Sequence, residues 1–216
     1  MKKQPANIEI MRLRTAIENF NAIHQALLDD ILSVFSKPKE KLDLGRIQQI
    51  RRAHLRAVFV HFEAIIFQVK QLALVRGEMS GLRFSACELS LLREEEHSLN
   101  DKGEPTSRPA RLRLSDNFKF ATKLFSSAYC CSYCPDYGSH KWESFQRAQK
   151  IRNRVTHPKT AAHLEISDQE LQVIDEAFDW VYDWHLELFK NACLIAKGHR
   201  KRPSTKTLKS VSVGRS

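Results

Sequence analysis

The chain has 216 residues, 42% of them hydrophobic, with 35 basic against 25 acidic side chains and a formal charge of +10 at neutral pH. That length supports one core with appendages, and the positive surplus favours phosphate-bearing partners without specifying a fold. The richest apolar stretch, Ala57 to Leu74, is broken by His61, Glu63, Gln68, Lys70 and Gln71, and polar residues follow Met1-Lys2-Lys3-Gln4-Pro5, so neither a membrane span nor an export signal is expected.

In chain order, the first predicted element is a helix from about Ile8 to Phe35. Its stripe is Ile10, Leu13, Ile17, Phe20, Leu27, Ile31 and Phe35, at the three-to-four-residue spacing of a helix face, and Lys37-Pro38 ends it. A second helix, from Leu44 or Gly45 to about Val75, becomes apolar on most sides through Ala57-Val58-Phe59-Val60 and Ala64-Ile65-Ile66-Phe67. It is therefore expected to lie centrally, with Gly77 closing it.

A shorter helix is expected from Ser85 to about Leu99. The polar, turn-rich stretch from Asn100 to Arg113 reads as a loop, and a helix capped by Ser115 or Asp116 follows. After the break at Pro135-Asp136-Tyr137-Gly138, the residues Trp142, Phe145, Ala148, Ile151 and Val155 define another helix, stopped by Pro158. Ser167 and Glu170 have the spacing of a capping box opening a last long helix, striped by Leu171, Ile174, Phe178, Val181, Trp184, Leu188 and Ile195. No strand alternation is evident. The expected fold is all-α, a bundle of five to six helices over 1–197, with a basic, disordered tail over 198–216.

Five cysteines, an odd set in a chain able to fold without staples, indicate free thiols in a reducing compartment and a cytoplasmic location. Cys131-x2-Cys134 with Cys130 and His140 offers zinc-type ligands. Adjacent cysteines do not easily converge on one tetrahedral ion, however, so neither a metal nor another cofactor is expected. Trp180, Tyr182 and Trp184 read as core or interface aromatics.

The segment that carries chemistry is Lys150-Ile151-Arg152-Asn153-Arg154-Val155-Thr156-His157-Pro158-Lys159. Asn153 and His157 share a helix face, and Pro158 biases His157 out of helical geometry, letting its ring swing toward Arg152 or Asn153. An imidazole exchanges protons near neutrality and an arginine stabilises charge developing on a phosphate. The same residue types also serve as caps, ion pairs or solvated groups.

Arg152-Asn153-Arg154-Val155-Thr156-His157 resembles the signature of the HEPN superfamily, an Arg followed after four to six residues by His, with a polar residue after the Arg. The resemblance implies a helical bundle that dimerises with the two signatures facing each other, and a metal-independent endoribonuclease that cleaves RNA by 2′-hydroxyl attack. It implies His157 as acid or base, Arg152 as phosphate stabiliser and Asn153 as orienting group, with an antitoxin or sensor protein as regulatory partner. Other members are catalytically inactive RNA-binding or assembly modules, which is the alternative reading. Glu63, amid Phe59, Phe62, Ile66 and Phe67 in the most apolar helix, is the candidate support for Arg152, with pairing to Lys70 or a place at a polar seam as the competing roles. Lys150, Arg154 and Lys159 are candidate RNA contacts, Arg154 also serving as a supporting or interface residue.

Overall fold

The structure is a computed structural model and describes residues 5–35 and 43–196. Among these residues the chain forms six α-helices, a two-stranded hairpin and one short 3-10 turn. The helices are α1 (Pro5–Phe35), α2 (Leu44–Ser80), α3 (Ala86–Arg93), α4 (Leu114–Ala128), α5 (His140–Thr156) and α6 (Asp168–Ala196). The expected tail from residue 198 and the Lys37-Pro38 stop lie outside the described residues.

The architecture is a mostly helical, all-α bundle built around α2, which packs on α1, α3, α4, α5 and α6. Its position follows from its side chains: Val58, Phe62, Ile65, Ile66 and Val69 are completely buried. An 18-residue window of α2 has a mean hydropathy of 1.5, and 61% of that window is buried inside the bundle. The interruptions read from the sequence therefore leave a helix apolar enough to match a membrane span by length and composition. Here most of that apolar surface is covered by neighbouring helices.

Gly77 does not close α2. It is buried inside the helix, where a Cβ would sit 2.4 Å from Cε2 of Phe84, so its missing side chain makes room for the returning chain. The stop is Gly81, at φ 72°, whose N–H donates to the carbonyls of Glu78 and Gly77. That left-handed cap is the geometry glycine adopts without steric cost.

The third helix is shorter than expected. A capping box between Ser85 and Glu88 starts it, and Glu94 ends it at φ 57°. The following residues form β1 (Glu95–Leu99), paired antiparallel with β2 (Pro105–Pro109), so that Glu95 faces Pro109 and Leu99 faces Pro105. The expected loop thus contains a strand and a tight connection. Asn100 Oδ1 accepts from the N–H groups of Lys102 and Glu104 at 3.0 and 2.9 Å, and Gly103 takes φ 75°. Apart from Glu95, the strand residues are all exposed. No apolar alternation was available to announce these strands, because they bury no apolar face.

Lys70 anchors this segment. Its fully buried Nζ donates to Glu94 Oε1 at 2.5 Å and to the Leu91 carbonyl at 3.2 Å, tying α2 to the end of α3. Burial lowers the Lys70 pKa, while Glu94 opposes that shift. Lys70 therefore pairs with Glu94 and not with Glu63.

The N-cap of α4 is Arg113, two residues before Ser115, and it makes no side-chain cap. Asp116 lies in its first turn instead, where a carboxylate favours the positive helix end. The last helix follows the sequence reading: Ser167 N–H donates to Glu170 at 3.1 Å and Glu170 N–H donates to Ser167 Oγ at 3.2 Å. Trp180 and Trp184 are core residues, packed on Phe118 with ring centroids 5.0 and 4.2 Å apart. Trp184 Nε1 donates to Thr122 Oγ1 at 3.1 Å, satisfying its buried polar atom.

Candidate functional site

Helix α5 starts at the Ser139 cap, whose hydroxyl accepts from Trp142 N–H at 3.3 Å. Trp142, Phe145, Ala148, Ile151 and Val155 are buried, which fixes the helix on α6 and orients everything between these positions. Lys150, Asn153 and His157 follow one another at three- and four-residue spacing, and all three are exposed. They make a solvent-facing strip along the end of the helix.

His157 is the C-cap of α5, at φ −122° and ψ 61°, outside helical geometry, as the following proline favours. Its backbone N–H donates to the Asn153 carbonyl at 3.0 Å. Its ring has no hydrogen-bond or ion-pair partner among the described residues. The imidazole thus stands at the helix end with both nitrogens open to an incoming group.

Arg152 points sideways toward α2. Nη2 donates to Glu63 Oε1 at 3.1 Å, Nη1 donates to Asn153 Oδ1 at 3.3 Å, and the guanidinium lies 5.9 Å from the Phe59 ring centroid. Glu63 is one turn beyond Phe59 on α2, so carboxylate and ring hold one guanidinium from two levels. Glu63 stands at a solvent edge of this apolar helix, its side chain 53% exposed, while its neighbours Phe62 and Ile66 are buried. The carboxylate faces Arg152 across the helix pair.

Arg154 is fully engaged on the opposite flank. Its Nη1 donates to the carbonyls of His163 and Glu165 at 3.0 and 2.9 Å, and Nη2 donates to Glu170 at 2.7 Å. The planar guanidinium suits this task, presenting several donors in one fixed fork. It pins the 3-10 turn at Ala161–Leu164 against the start of α6. Gln48 and Arg51 of α2 reinforce the junction by donating to the Ile166 carbonyl at 3.0 and 2.6 Å, and Arg51 also pairs with Asp168.

Lys159 is exposed, and its backbone N–H donates to His163 Nδ1 at 3.1 Å. Lys150, Asn153, His157 and Lys159 therefore remain solvent-facing, Arg152 is held in place beside them, and Arg154 supports the loop behind. A small cavity of about 160 Å³ beside Glu63 is bordered by Glu94 and Asn117.

Phe59, Gln48 and Arg51 were missed in the sequence. Each takes its role from a residue more than ninety positions away, and nothing in local spacing signals that. Among the described residues no group of three or more His, Cys, Asp or Glu side chains is arranged to hold a metal ion. Comparison of the chain with protein-family models, curated proteins and solved structures found no match in any of the three.

Proposed function

We propose that the chain is a HEPN-type, metal-independent endoribonuclease whose working site forms where two copies bring their α5 ends together. The observation that carries this reading is the grouping at the end of α5. Arg152 is oriented by Glu63 and Asn153, and the open His157 ring stands one turn further on. In this reading His157 takes the proton from a ribose 2′-hydroxyl or returns one to the departing 5′-oxygen. Arg152 stabilises charge on the phosphate, Asn153 orients either partner, and Lys150 and Lys159 attract the RNA backbone. The phosphorus gains a bond to the 2′-oxygen and loses its bond to the 5′-oxygen, leaving a 2′,3′-cyclic phosphate and a 5′-hydroxyl.

The experiment is cleavage of a mixed RNA pool in EDTA by wild type, His157→Ala and Arg152→Ala, with mapping of the new ends and mass measurement in solution. The expected result is a dimer producing cyclic-phosphate ends, with both variants folded, dimeric and at least a hundredfold slower. Unchanged cleavage by the variants overturns the site. Binding of RNA by wild type without cleavage supports the inactive RNA-binding module instead.

A further inference from the structure

At a separate place in the bundle, four helices leave a space between them instead of closing. Helices α1, α2, α4 and α6 line a cavity of about 460 Å³, within the range of roughly 300–1,000 Å³ typical of small-molecule sites. Leu72, Phe125, Phe20 and Ala192 form its buried apolar wall, and Ile17, 44% exposed, stands at its lip.

One charged side chain enters this apolar space. Arg76 has a buried Nε–H with no acceptor among the described residues, and its guanidinium lies 5.7 Å from the centroid of Tyr129. Glu78, two residues along, pairs with Arg12 at 2.8 Å and not with Arg76. A buried guanidinium donor without an acceptor is costly, because the donor loses water and gains nothing in exchange. Tyr129 supplies a second donor at the same cavity: burial pushes its phenol up to about 12, so it keeps its proton. The chain beyond Ala196 contains Arg200, Lys201, Arg202, Lys206, Lys209 and Arg215 and no Asp or Glu, so it carries no acidic side chain for Arg76.

We infer that this cavity binds an amphipathic monoanion, a carboxylate on a medium-length acyl chain, with the carboxylate on Arg76 and the chain against Leu72 and Phe125. Charge-assisted pairing explains the preference for an anion, since a carboxylate matches the guanidinium fork. The apolar wall explains the preference for a chain over a free inorganic anion. The site is independent of the α5 strip and of any nuclease activity.

The test is calorimetric titration of the full chain with decanoate, decanol and decyltrimethylammonium, each below its aggregation limit. Wild type is expected to bind decanoate at least tenfold more tightly than decanol, with the cation weakest. Arg76→Gln should bring decanoate down to the level of decanol. Ile17→Trp, a change at the exposed lip that leaves the core intact, should weaken both by blocking entry, with circular dichroism verifying the helical fold. Equal binding of decanoate and decanol by wild type overturns the inference without relying on any variant, as does an undiminished decanoate preference in Arg76→Gln or absence of decanoate binding.

Discussion

Two arginines two positions apart serve opposite ends of the same design. Arg152 is half-exposed and held by a carboxylate, an amide and an aromatic ring, whereas Arg154 is bound by backbone carbonyls and Glu170. Glu63→Gln should therefore leave stability within about 1 kcal/mol, as expected for an exposed ion pair. On the proposed reading it should still slow RNA cleavage by letting Arg152 wander; a lowered kcat beside an unchanged melting temperature is the result to look for. Arg154→Lys should do the reverse in part. Losing the fork breaks the multiple carbonyl contacts and should cost about 1–3 kcal/mol in urea denaturation. The Arg, Asn and His positions were legible from sequence because they lie within six residues. The division of labour between Arg152 and Arg154 was not, since it depends on which flank faces α2 and which faces α6.

Helix boundaries show the same contrast between local and remote causes. The Ser167–Glu170 box and the stop before Pro158 are written in adjacent residues and appear where the sequence places them. The end of α2 is not, because Gly77 is retained inside the helix by contact with Phe84. Gly77→Ala should gain helix propensity yet destabilise the protein by about 1–3 kcal/mol through overpacking, and Phe84→Leu in the same chain should recover part of the loss. Thermal melting of the single and double variants checks this; a more stable Gly77→Ala protein would contradict the packing account. The hairpin was illegible for a different reason. It is held by backbone pairing, by the Ser98–Thr106 hydroxyl contact at 3.1 Å and by the Glu96–Arg108 ion pair at 3.0 Å, all of them polar features also common in loops.

For the molecule as a whole, the most consequential buried polar group is a set of imidazoles contributed by three helices. His24 of α1 lies between His61 of α2 and His185 of α6, with ring centroids 5.1 and 4.7 Å away. Burial, reinforced by the neighbouring imidazoles, lowers His61 to about 3 and His185 to about 4, and burial lowers His24 as well. Tyr182 and Phe178 also face this cluster, and Asp183 acts weakly in the opposite direction on His185. The folded state thus prefers neutral rings, so unfolding takes up protons below the ordinary histidine pKa of 6.5. Stability is fully present above that pH and should decline toward pH 4, by up to about 1.4 kcal/mol per pH unit for each imidazole. Urea melts at pH 7, 6 and 5 should show the decline, and His61→Phe should flatten it. The sequence showed the central helix and the bundle class through apolar periodicity. It could not show that three histidines from separate helices meet, because that is a property of packing.

The hairpin has a practical consequence for anyone building with this protein. Its connection from Asp101 to Glu104 is exposed, while its base is fastened to the core through Glu94 and Lys70. A peptide tag spliced between Asp101 and Lys102 would therefore ride on a short stalk whose footing is secured elsewhere. Such a permissive insertion point would let the protein be immobilised or labelled without touching its chain termini, α5 or the cavity between α1, α2, α4 and α6.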